Sequence, residues 1–338
     1  MKFKTLALAL VLLCLLAYGL HVVRSQNASA PDYPNRVIAT GEIGVTLEIP
    51  SGATGSDVGR ILFAHGVVAS SSAYFAIAVA DKKSERVSPG NHRLSRRISA
   101  AQALAQLLDP ARIPNLIKVF EGAWRSEVVA SMITYGFTAS EVTAAFAKVV
   151  IPKGFSNSEG LLFPAQYSFP KGTSALEAVQ AMVERFKAEQ VGQQLLSANG
   201  KYTPLQLLTI ASIVQAESDT SDFEKVARVI FNRLNISMPL QMDSTVHYVK
   251  KVRGQIFLST DSTLINSPFN TYQHYGLPPS PIGNPGVKAM QAALKPAIGD
   301  WLYFITVAPG DTRFTVSNSE FNSWKLLYEK NRKAGAFK

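Results

Sequence analysis

Cysteine is almost missing from this chain of 338 residues, because Cys14 is the only one. A single cysteine cannot form a disulfide within the chain, and it cannot build a metal site from several thiolates. The five histidines also lack the spacing of metal ligands. The sequence therefore predicts no metal site and no cofactor.

Acidic residues are scarce too: the chain has 24 Asp and Glu and 34 Lys and Arg, which gives a net charge of +10. Charged residues are only 17% of the chain and apolar residues are 47%, so the composition excludes a disordered protein. A soluble intracellular chain of this charge would suggest nucleic acid. Outside a membrane the charge better suits an anionic polymer or a lipid surface, and a basic solvated face explains it equally well. No nucleic-acid partner is expected.

The long apolar run at the N-terminus extends from Leu6 to about Val23. It is long enough to span a bilayer, and Lys2 and Lys4 before it favour an N-terminus on the inside. We predict a cytoplasmic tip over residues 1–4, a transmembrane anchor over 5–23 and a linker over 24–40. A cleaved signal peptide is the alternative, which Pro31 and the length of the run disfavour.

An internal duplication follows, because residues 49–67 align without gaps with residues 119–137. Each copy predicts a short strand, a glycine turn and a helix that ends at a glycine. Each is later followed by a Ser-Ala pair that opens another helix, at Ser99 and Ser174. The sequence therefore predicts two related α+β units, over 41–110 and 111–200, and the second leads into a different region over 201–338.

The first helix of that last region ends in a lone carboxylate, Glu217. Thr203, Pro204 and Gln206 have the spacing of a capping box with proline in the first turn, so a helix is predicted from here. At ~100° per residue, Glu217 falls ~20° from Ile210 and so extends the apolar face of the helix. A carboxyl group in apolar surroundings has a raised pKa and can act as a general acid. The alternatives are a partner for a buried arginine and a helix end that has reached solvent.

The remaining sequence predicts a mixture of helices, loops and a hairpin. A second helix is expected with Ser221 and Glu224 as its capping box, and residues 238–245 are expected to be irregular. A loop rich in glycine and proline spans 276–286, a short helix ends at Leu294, and a hairpin follows. The fold class is α+β with long loops, whose Asn, Gln, Thr and Tyr side chains suit the recognition of sugars.

Ordered motifs through most of the chain resemble the YceG family, the endolytic murein transglycosylases. They are Glu159-Gly160-Leu161-Leu162-Phe163-Pro164, Ala211-Ser212-Ile213-Val214 with Glu217, Phe231-Asn232-Arg233-Leu234, Leu240-Gln241 with Asp243 and Thr245, Asn270-Thr271-Tyr272, Gly276-Leu277-Pro278-Pro279 and Asn284-Pro285-Gly286. Three features depart from the family pattern: Gln215 replaces a common Glu, Ser280 replaces a common Gly, and histidines are missing near the C-terminus.

The resemblance implies a single-pass protein of the bacterial inner (plasma) membrane, with a LysM-like module and a catalytic domain outside. Such an enzyme cleaves MurNAc–GlcNAc bonds within nascent peptidoglycan strands, leaves 1,6-anhydro-MurNAc ends and terminates strand elongation. Peptidoglycan synthases are candidate partners. The catalytic residue of the family falls on Glu217. Substrate-binding roles are expected for six further residues: Asn232, Gln241, Asp243, Thr245, Asn270 and Tyr272.

A second catalytic carboxylate is not evident, although most glycosidases use two. Asp219 lies ~200° around the helix from Glu217, and Asp243 is the best remaining candidate. A transglycosylase needs only one such group, because the C6 hydroxyl of the substrate replaces water as the nucleophile. Two alternatives stay open: a muramidase that uses water and needs Asp243 or another carboxylate near Glu217, and a non-catalytic scaffold that binds the cell wall.

Overall fold

The computed structural model describes residues 30–50, 52–114, 116–253 and 260–337. The chain divides into two compact units, Met1–Pro114 with Ser168–Lys171, and Asn115–Tyr167 with Gly172–Lys338. The boundary predicted between residues 200 and 201 falls inside the second unit. Both units mix helices with small antiparallel sheets, so the predicted α+β class is confirmed.

The predicted tip and anchor, residues 1–4 and 5–23, lie outside the described residues. Within the described ranges, no helix combines the length and the apolar character needed to cross a membrane. The described part of the predicted linker, residues 30–40, forms no helix or strand.

The first unit is built on the two-stranded sheet of β1 (Val45–Ile49) and β2 (Gly90–Leu94), in which Val45 pairs with Leu94. Between the strands lie α1 (Gly55–Ala64), α2 (Ser71–Ala80) and a 3₁₀ turn at Lys82–Arg86, and after them come α3 (Ala100–Leu107) and a 3₁₀ turn at Pro110–Arg112. Apolar side chains from all these helices and strands form one core, which includes Leu47, Ile49, Leu62, Tyr74, Leu94, Ile98, Leu104 and Leu107.

Close contact between α1 and α2 depends on Gly59. A Cβ atom at this position would lie 2.7 Å from the carbonyl oxygen of Ser71, which is too short for any side chain. The missing side chain therefore lets the two helices approach each other.

The second unit begins with the same order of elements as the first. Strand β3 (Ile117–Val119) pairs antiparallel with β4 (Ala165–Tyr167), with α4 (Arg125–Tyr135) and α5 (Ala139–Lys148) between them and α6 (Ala175–Ala188) after them. The predicted strand, turn and helix are thus present in both copies. Gly52 and Gly122 each adopt a positive φ, of 75° and 78°, at the equivalent turn.

The rest of the second unit surrounds one buried helix, α8 (Pro204–Glu217). It packs against α7 (Gln190–Leu196), α9 (Phe223–Asn235), α10 (Asp243–Lys250) and α11 (Val287–Leu294). A 3₁₀ turn at Thr260–Leu264 follows α10. The chain ends with the hairpin of β5 (Tyr303–Ala308) and β6 (Asp311–Thr315), against which α12 (Asn318–Lys333) packs.

Two local predictions in this region were wrong. Helix α9 begins at Phe223 with Asp222 as its N-cap and makes no side-chain capping bond, because a turn from Asp219 to Asp222 leads directly into it. The irregular segment predicted for 238–245 ends at Met242, and α10 begins at Asp243. The capping box of α8 is confirmed, since the Thr203 hydroxyl accepts the Gln206 N–H.

Asn284 joins three segments of the second unit through buried hydrogen bonds. Its side-chain oxygen accepts the N–H of Leu162 at 2.9 Å, and its side-chain nitrogen donates to the carbonyl oxygen of Ala123 at 2.7 Å. Its own carbonyl oxygen accepts the N–H of Gly122 at 2.6 Å. The long Gly- and Pro-rich loop is thereby fixed to the start of α4 and to residues 161–163.

We expect Asn284→Ala to destabilise the protein by about 2–4 kcal/mol, because it leaves the buried Leu162 N–H without an acceptor. Chemical unfolding followed by circular dichroism measures the change. Asn322 is exposed on α12, and Asn322→Ala is the matched control, with an expected change within about 0.5 kcal/mol. Equal stabilities of the two variants would contradict the role assigned to Asn284.

Candidate active site

Glu217 is the last residue of α8 and lies where that helix leaves the core. The residues from Leu207 to Val214 are all buried, which includes the predicted apolar face and also the opposite side of the helix. Glu217 itself is partly exposed, and Ser218 after it adopts an extended conformation that ends the helix. The core therefore holds the helix firmly and presents its terminal carboxylate at the edge.

The N-terminus of α10 meets this carboxylate. The backbone N–H of Ser244, the second residue of α10, donates to Glu217 Oε1 at 2.9 Å. Met242, the N-cap residue of α10, has no side-chain oxygen that could accept the free N–H groups of the first turn. Glu217 thus supplies from another helix the acceptor that a capping side chain would normally provide.

Burial raises the pKa of Glu217 to about 7. The hydroxyl and the N–H of Ser244 oppose this rise, the negative charge of Asp243 adds to it, and the positive charge of Arg233 opposes it. A carboxyl group with this pKa can both donate and accept a proton near neutral pH, as a group that serves as acid and then as base must.

The cation whose charge lowers the pKa of Glu217, Arg233, is buried and only 6% exposed. Its guanidinium donates to the carbonyl oxygens of Leu302, at 2.6 Å, and Leu240, at 2.5 Å, and lies 5.4 Å from the centre of the Tyr303 ring. Burial lowers the pKa of Arg233. Among the described residues, no Lys or Arg nitrogen lies within 4.0 Å of the Glu217 carboxylate, so Glu217 is not held in a direct ion pair.

Asp243 and Tyr272 form a second polar pair beside Glu217. The Tyr272 hydroxyl donates to Asp243 Oδ1, and burial together with the charge of Asp243 raises the pKa of Tyr272. Asp243 and Ser244 are consecutive at the start of α10, so the predicted residues Glu217, Asp243 and Tyr272 come together at one place. The two carboxylates repel each other, which favours the protonated form of Glu217.

Two of the other predicted residues are fully buried. The Thr245 hydroxyl donates to the carbonyl oxygen of Met242 at 2.7 Å and lies 3.0 Å from the Thr271 hydroxyl. The Asn270 side chain donates to the carbonyl oxygens of Thr263 and Ile265 and accepts the N–H of Tyr272. Both side chains therefore fix the loop that carries Tyr272 and leave no surface for a ligand.

The last two predicted residues differ in position. The Gln241 side chain is exposed just before α10, on a backbone with a φ of 48° that is fixed by a hydrogen bond from its N–H to Thr271. The Asn232 side chain donates to the carbonyl oxygens of Gly299 and Trp301, so it holds the segment that leads into β5. Gln241 is free to meet a ligand, whereas the amide nitrogen of Asn232 is already bound.

Sequence reasoning missed another carboxylate, Glu159, which is buried and lies near the other end of α10. It is 3% exposed, accepts the Tyr248 hydroxyl at 2.8 Å and accepts the Arg125 N–H at 2.8 Å. Burial raises the pKa of Glu159, and these two hydrogen bonds oppose the rise. Its place in the Glu-Gly-Leu-Leu-Phe-Pro motif was the available signal. Ser244 and Arg233 were also missed, because neither contact follows from spacing along the chain.

The site contains no evident place for a metal ion. Among the residues that the structure describes, no group of three His, Cys, Asp or Glu side chains could hold one. The partly exposed polar groups beside Glu217 are the Asp243 carboxylate and the Tyr272 phenol, which suit hydrogen bonding to a hydroxylated ligand.

Comparison with known proteins gives the family. The model of the YceG-like family matches residues 47–325. This chain belongs to the YceG-like family. It is 31% identical over 313 residues to a Bacillus subtilis protein named endolytic murein transglycosylase, and the match covers 86% of each chain. A Streptococcus pneumoniae protein of the same name is 32% identical over 180 residues, which are 52% of this chain and 33% of that protein.

A solved structure supports the same assignment. The crystal structure of a YceG-like protein from Listeria monocytogenes is 27% identical and superposes with a TM-score of 0.55, over 82% of this YceG-like chain and 98% of that one. The resemblance identified from the motifs is therefore confirmed.

The raised pKa of Glu217 has a consequence for stability. An unfolded glutamate ionises near its usual pKa of 4.5, whereas the folded carboxyl keeps its proton to about 7. The folded state binds more protons between these values, so this group makes stability fall as pH rises through that window. Glu217→Gln removes this titration. We therefore expect the free energy of unfolding of the variant, minus that of wild type, to be about 2 kcal/mol larger at pH 8 than at pH 5.

Urea unfolding of both proteins at the two pH values measures this difference. Glu184→Gln is the control, because Glu184 is exposed on α6 and the Lys187 ammonium lowers its pKa, so no gain is expected at pH 8. A Glu217→Gln effect that is the same at both pH values would show that Glu217 is not protonated in the folded state near neutral pH.

Proposed function

We propose that this YceG-like protein is an endolytic lytic transglycosylase that cleaves MurNAc–GlcNAc bonds within peptidoglycan strands. The named relatives support this activity, and the family match spans residues 47–325. One observation carries the chemistry: the Glu217 carboxyl group has a pKa of about 7 and is held at one oxygen by a backbone N–H.

In this proposal Glu217 acts first as a general acid and then as a general base. The protonated carboxyl donates to the glycosidic oxygen O4 of GlcNAc as the bond from that oxygen to C1 of MurNAc breaks. The carboxylate then removes the proton of the C6 hydroxyl of the same MurNAc, whose oxygen forms the new bond to C1. The proton is back on Glu217, no water is consumed, and the product end is 1,6-anhydro-MurNAc.

The neighbouring residues take three different parts in this proposal. Gln241, Asp243 and Tyr272 bind the sugar, since Asp243 and Tyr272 are partly exposed beside Glu217 and the Gln241 side chain is exposed just before α10. Thr245, Asn270 and Asn232 hold the loops that carry those residues. Arg233 limits the repulsion between the Asp243 and Glu217 charges after the proton has left.

A muramidase is the second candidate, and one observation favours it. Asp243 lies close enough to raise the pKa of Glu217, so a second carboxylate is present beside the first. A water activated by Asp243 would leave a reducing MurNAc end instead of an anhydro end. The Tyr272 hydroxyl argues against this role, because it occupies one oxygen of Asp243.

We also propose that the first unit is a LysM-like module that binds glycan. Its elements follow the order β1, α1, α2, β2, and a cavity of about 320 Å³ lies between the turn after β1 and the segment before β2. Phe75 and Val79 beside this cavity are 47% and 69% exposed, which offers an apolar surface for a sugar ring.

Location and partners remain parts of the same proposal. Residues 5–23 anchor the protein in the bacterial inner membrane, with both units on the outer side. There the enzyme ends the elongation of nascent strands, beside the peptidoglycan synthases that make them. The length of the apolar run and the two lysines before it support the anchor.

Digestion of long uncrosslinked glycan by the full chain tests the activity, with mass spectrometry of the products. We expect mid-sized fragments early in the reaction, each with a 1,6-anhydro-MurNAc end. Glu217→Gln keeps the shape of the side chain without its proton transfer, and its rate should fall by ~10²-fold or more.

The control is Glu184→Gln, which changes an exposed carboxylate on α6 and should digest glycan at the wild-type rate. Reducing MurNAc ends would favour the muramidase, and steady release of disaccharides would show cleavage from strand ends. Wild-type turnover by Glu217→Gln would remove Glu217 from the mechanism.

A further inference from the structure

The backbone amide of Ser244 binds one of the two oxygens of the Glu217 carboxylate. The N–H donates to Oε1 at 2.9 Å, and among the described residues no other hydrogen bond reaches Glu217. A proton on Oε1 would be repelled by this donor. The neutral carboxyl group therefore carries its proton on Oε2, which is the oxygen left for the substrate.

The hydroxyl of Ser244 lies near enough to lower the pKa of Glu217, but it is not settled in a hydrogen bond. Ser244 is 8% exposed, its Oγ is buried, and within the described chain this oxygen makes no hydrogen bond of normal geometry. A buried hydroxyl without a partner costs free energy, so its retention needs a reason. Because the oxygen is shielded from solvent, a substrate cannot reach it either.

The groups that face Glu217 come from three elements. Asp243 lies on α10, Arg233 on α9 and Tyr272 on the loop after Asn270. Tyr272 and Arg233 already donate to other oxygens, of Asp243 and of backbone carbonyls. Ser244 is thus the neighbour whose donor is still uncommitted when Glu217 becomes an anion.

We propose that Ser244 is a positioning residue for the acid and base of the reaction: its amide fixes Oε1 of Glu217, and its hydroxyl turns to the carboxylate when the proton leaves Oε2. This proposal rests on the assignment of Glu217 as the general acid and base. The hydroxyl stabilises the anion between the two proton transfers, and it releases the carboxylate when the proton returns. In agreement with this, the amide of Ser244 and its nearby hydroxyl each lower the pKa of Glu217.

The test is the pH dependence of glycan cleavage by the full chain with Ser244→Ala. Cleavage needs the protonated acid, so wild-type activity falls as pH rises past the pKa of Glu217. Loss of the hydroxyl destabilises the anion, and we expect this fall to move to higher pH by about 0.5–1 unit, with kcat reduced about 3–10-fold below it. KM should change little, because the hydroxyl does not touch the substrate.

An isosteric pair protects the test against a packing effect of alanine. Ser244→Thr keeps the hydroxyl and should keep the wild-type pH profile. Ser244→Val has the shape of threonine without the hydroxyl, and its pH profile should shift as that of Ser244→Ala does. Ser158→Ala is the matched control, because its buried hydroxyl is also unpartnered but lies beside Glu159. It should leave the profile unchanged.

The outcomes distinguish a failure of the Ser244 proposal from a failure of the proposed function. If Glu217→Gln is inactive while the profiles of Ser244→Ala and Ser244→Val coincide with wild type, Ser244 has no positioning role and the proposed function stands. Equal profiles for Ser244→Thr and Ser244→Val would also overturn it. If Glu217→Gln retains turnover, the proposed function fails first.

Discussion

The hydrogen bond from the Ser244 amide to the Glu217 carboxylate joins the end of one buried helix to the start of another. Helix α8 brings Glu217 to the edge of the core, and α10 brings an N-terminus that has no capping side chain of its own. Each end supplies what the other lacks, an acceptor for free N–H groups and a donor for a carboxylate. The position of the reactive group is therefore set by backbone atoms, which are more rigid than side chains.

The charge around this contact is balanced so that Glu217 is neither firmly neutral nor firmly ionised. Burial and Asp243 favour the proton, while Ser244 and Arg233 favour the anion. A direct ion pair with Arg233 would keep the carboxylate ionised, but the Arg233 guanidinium is committed to the carbonyl oxygens of Leu302 and Leu240. That commitment also ties α9 to the start of β5, so one buried arginine serves both the fold and the electrostatics of the site.

Long loops surround the site, and buried polar side chains hold them in place. Asn284 fixes the Gly- and Pro-rich loop, Asn270 and Thr245 fix the loop that carries Tyr272, and Glu159 holds Tyr248 near the far end of α10. A loop has no regular ladder to satisfy its backbone groups, so these side chains provide the partners. Loss of one of them should alter the site without touching a ligand.

Sequence alone was enough for the features that depend on neighbours along the chain. The capping box at Thr203, the hairpin of β5 and β6, and the repeated strand, turn and helix all follow from spacing over a few residues. The apolar face of α8 also marked Glu217 as a carboxylate at the edge of a core, and the ordered motifs identified the family. The start of α10 could not be predicted in this way, because its cap comes from Glu217, 27 residues earlier.

The tertiary structure decided which polar residues face the site and which support it. Asn270 and Asp243 were both predicted to bind substrate from irregular segments, yet Asn270 is buried and fully bonded, whereas Asp243 begins α10 and lies beside Glu217. Ser244 carries no sequence signal at all, since a serine in a helix is ordinary. The pKa of a carboxyl depends on burial and on charges that approach from other helices, and those distances exist only after the chain has folded.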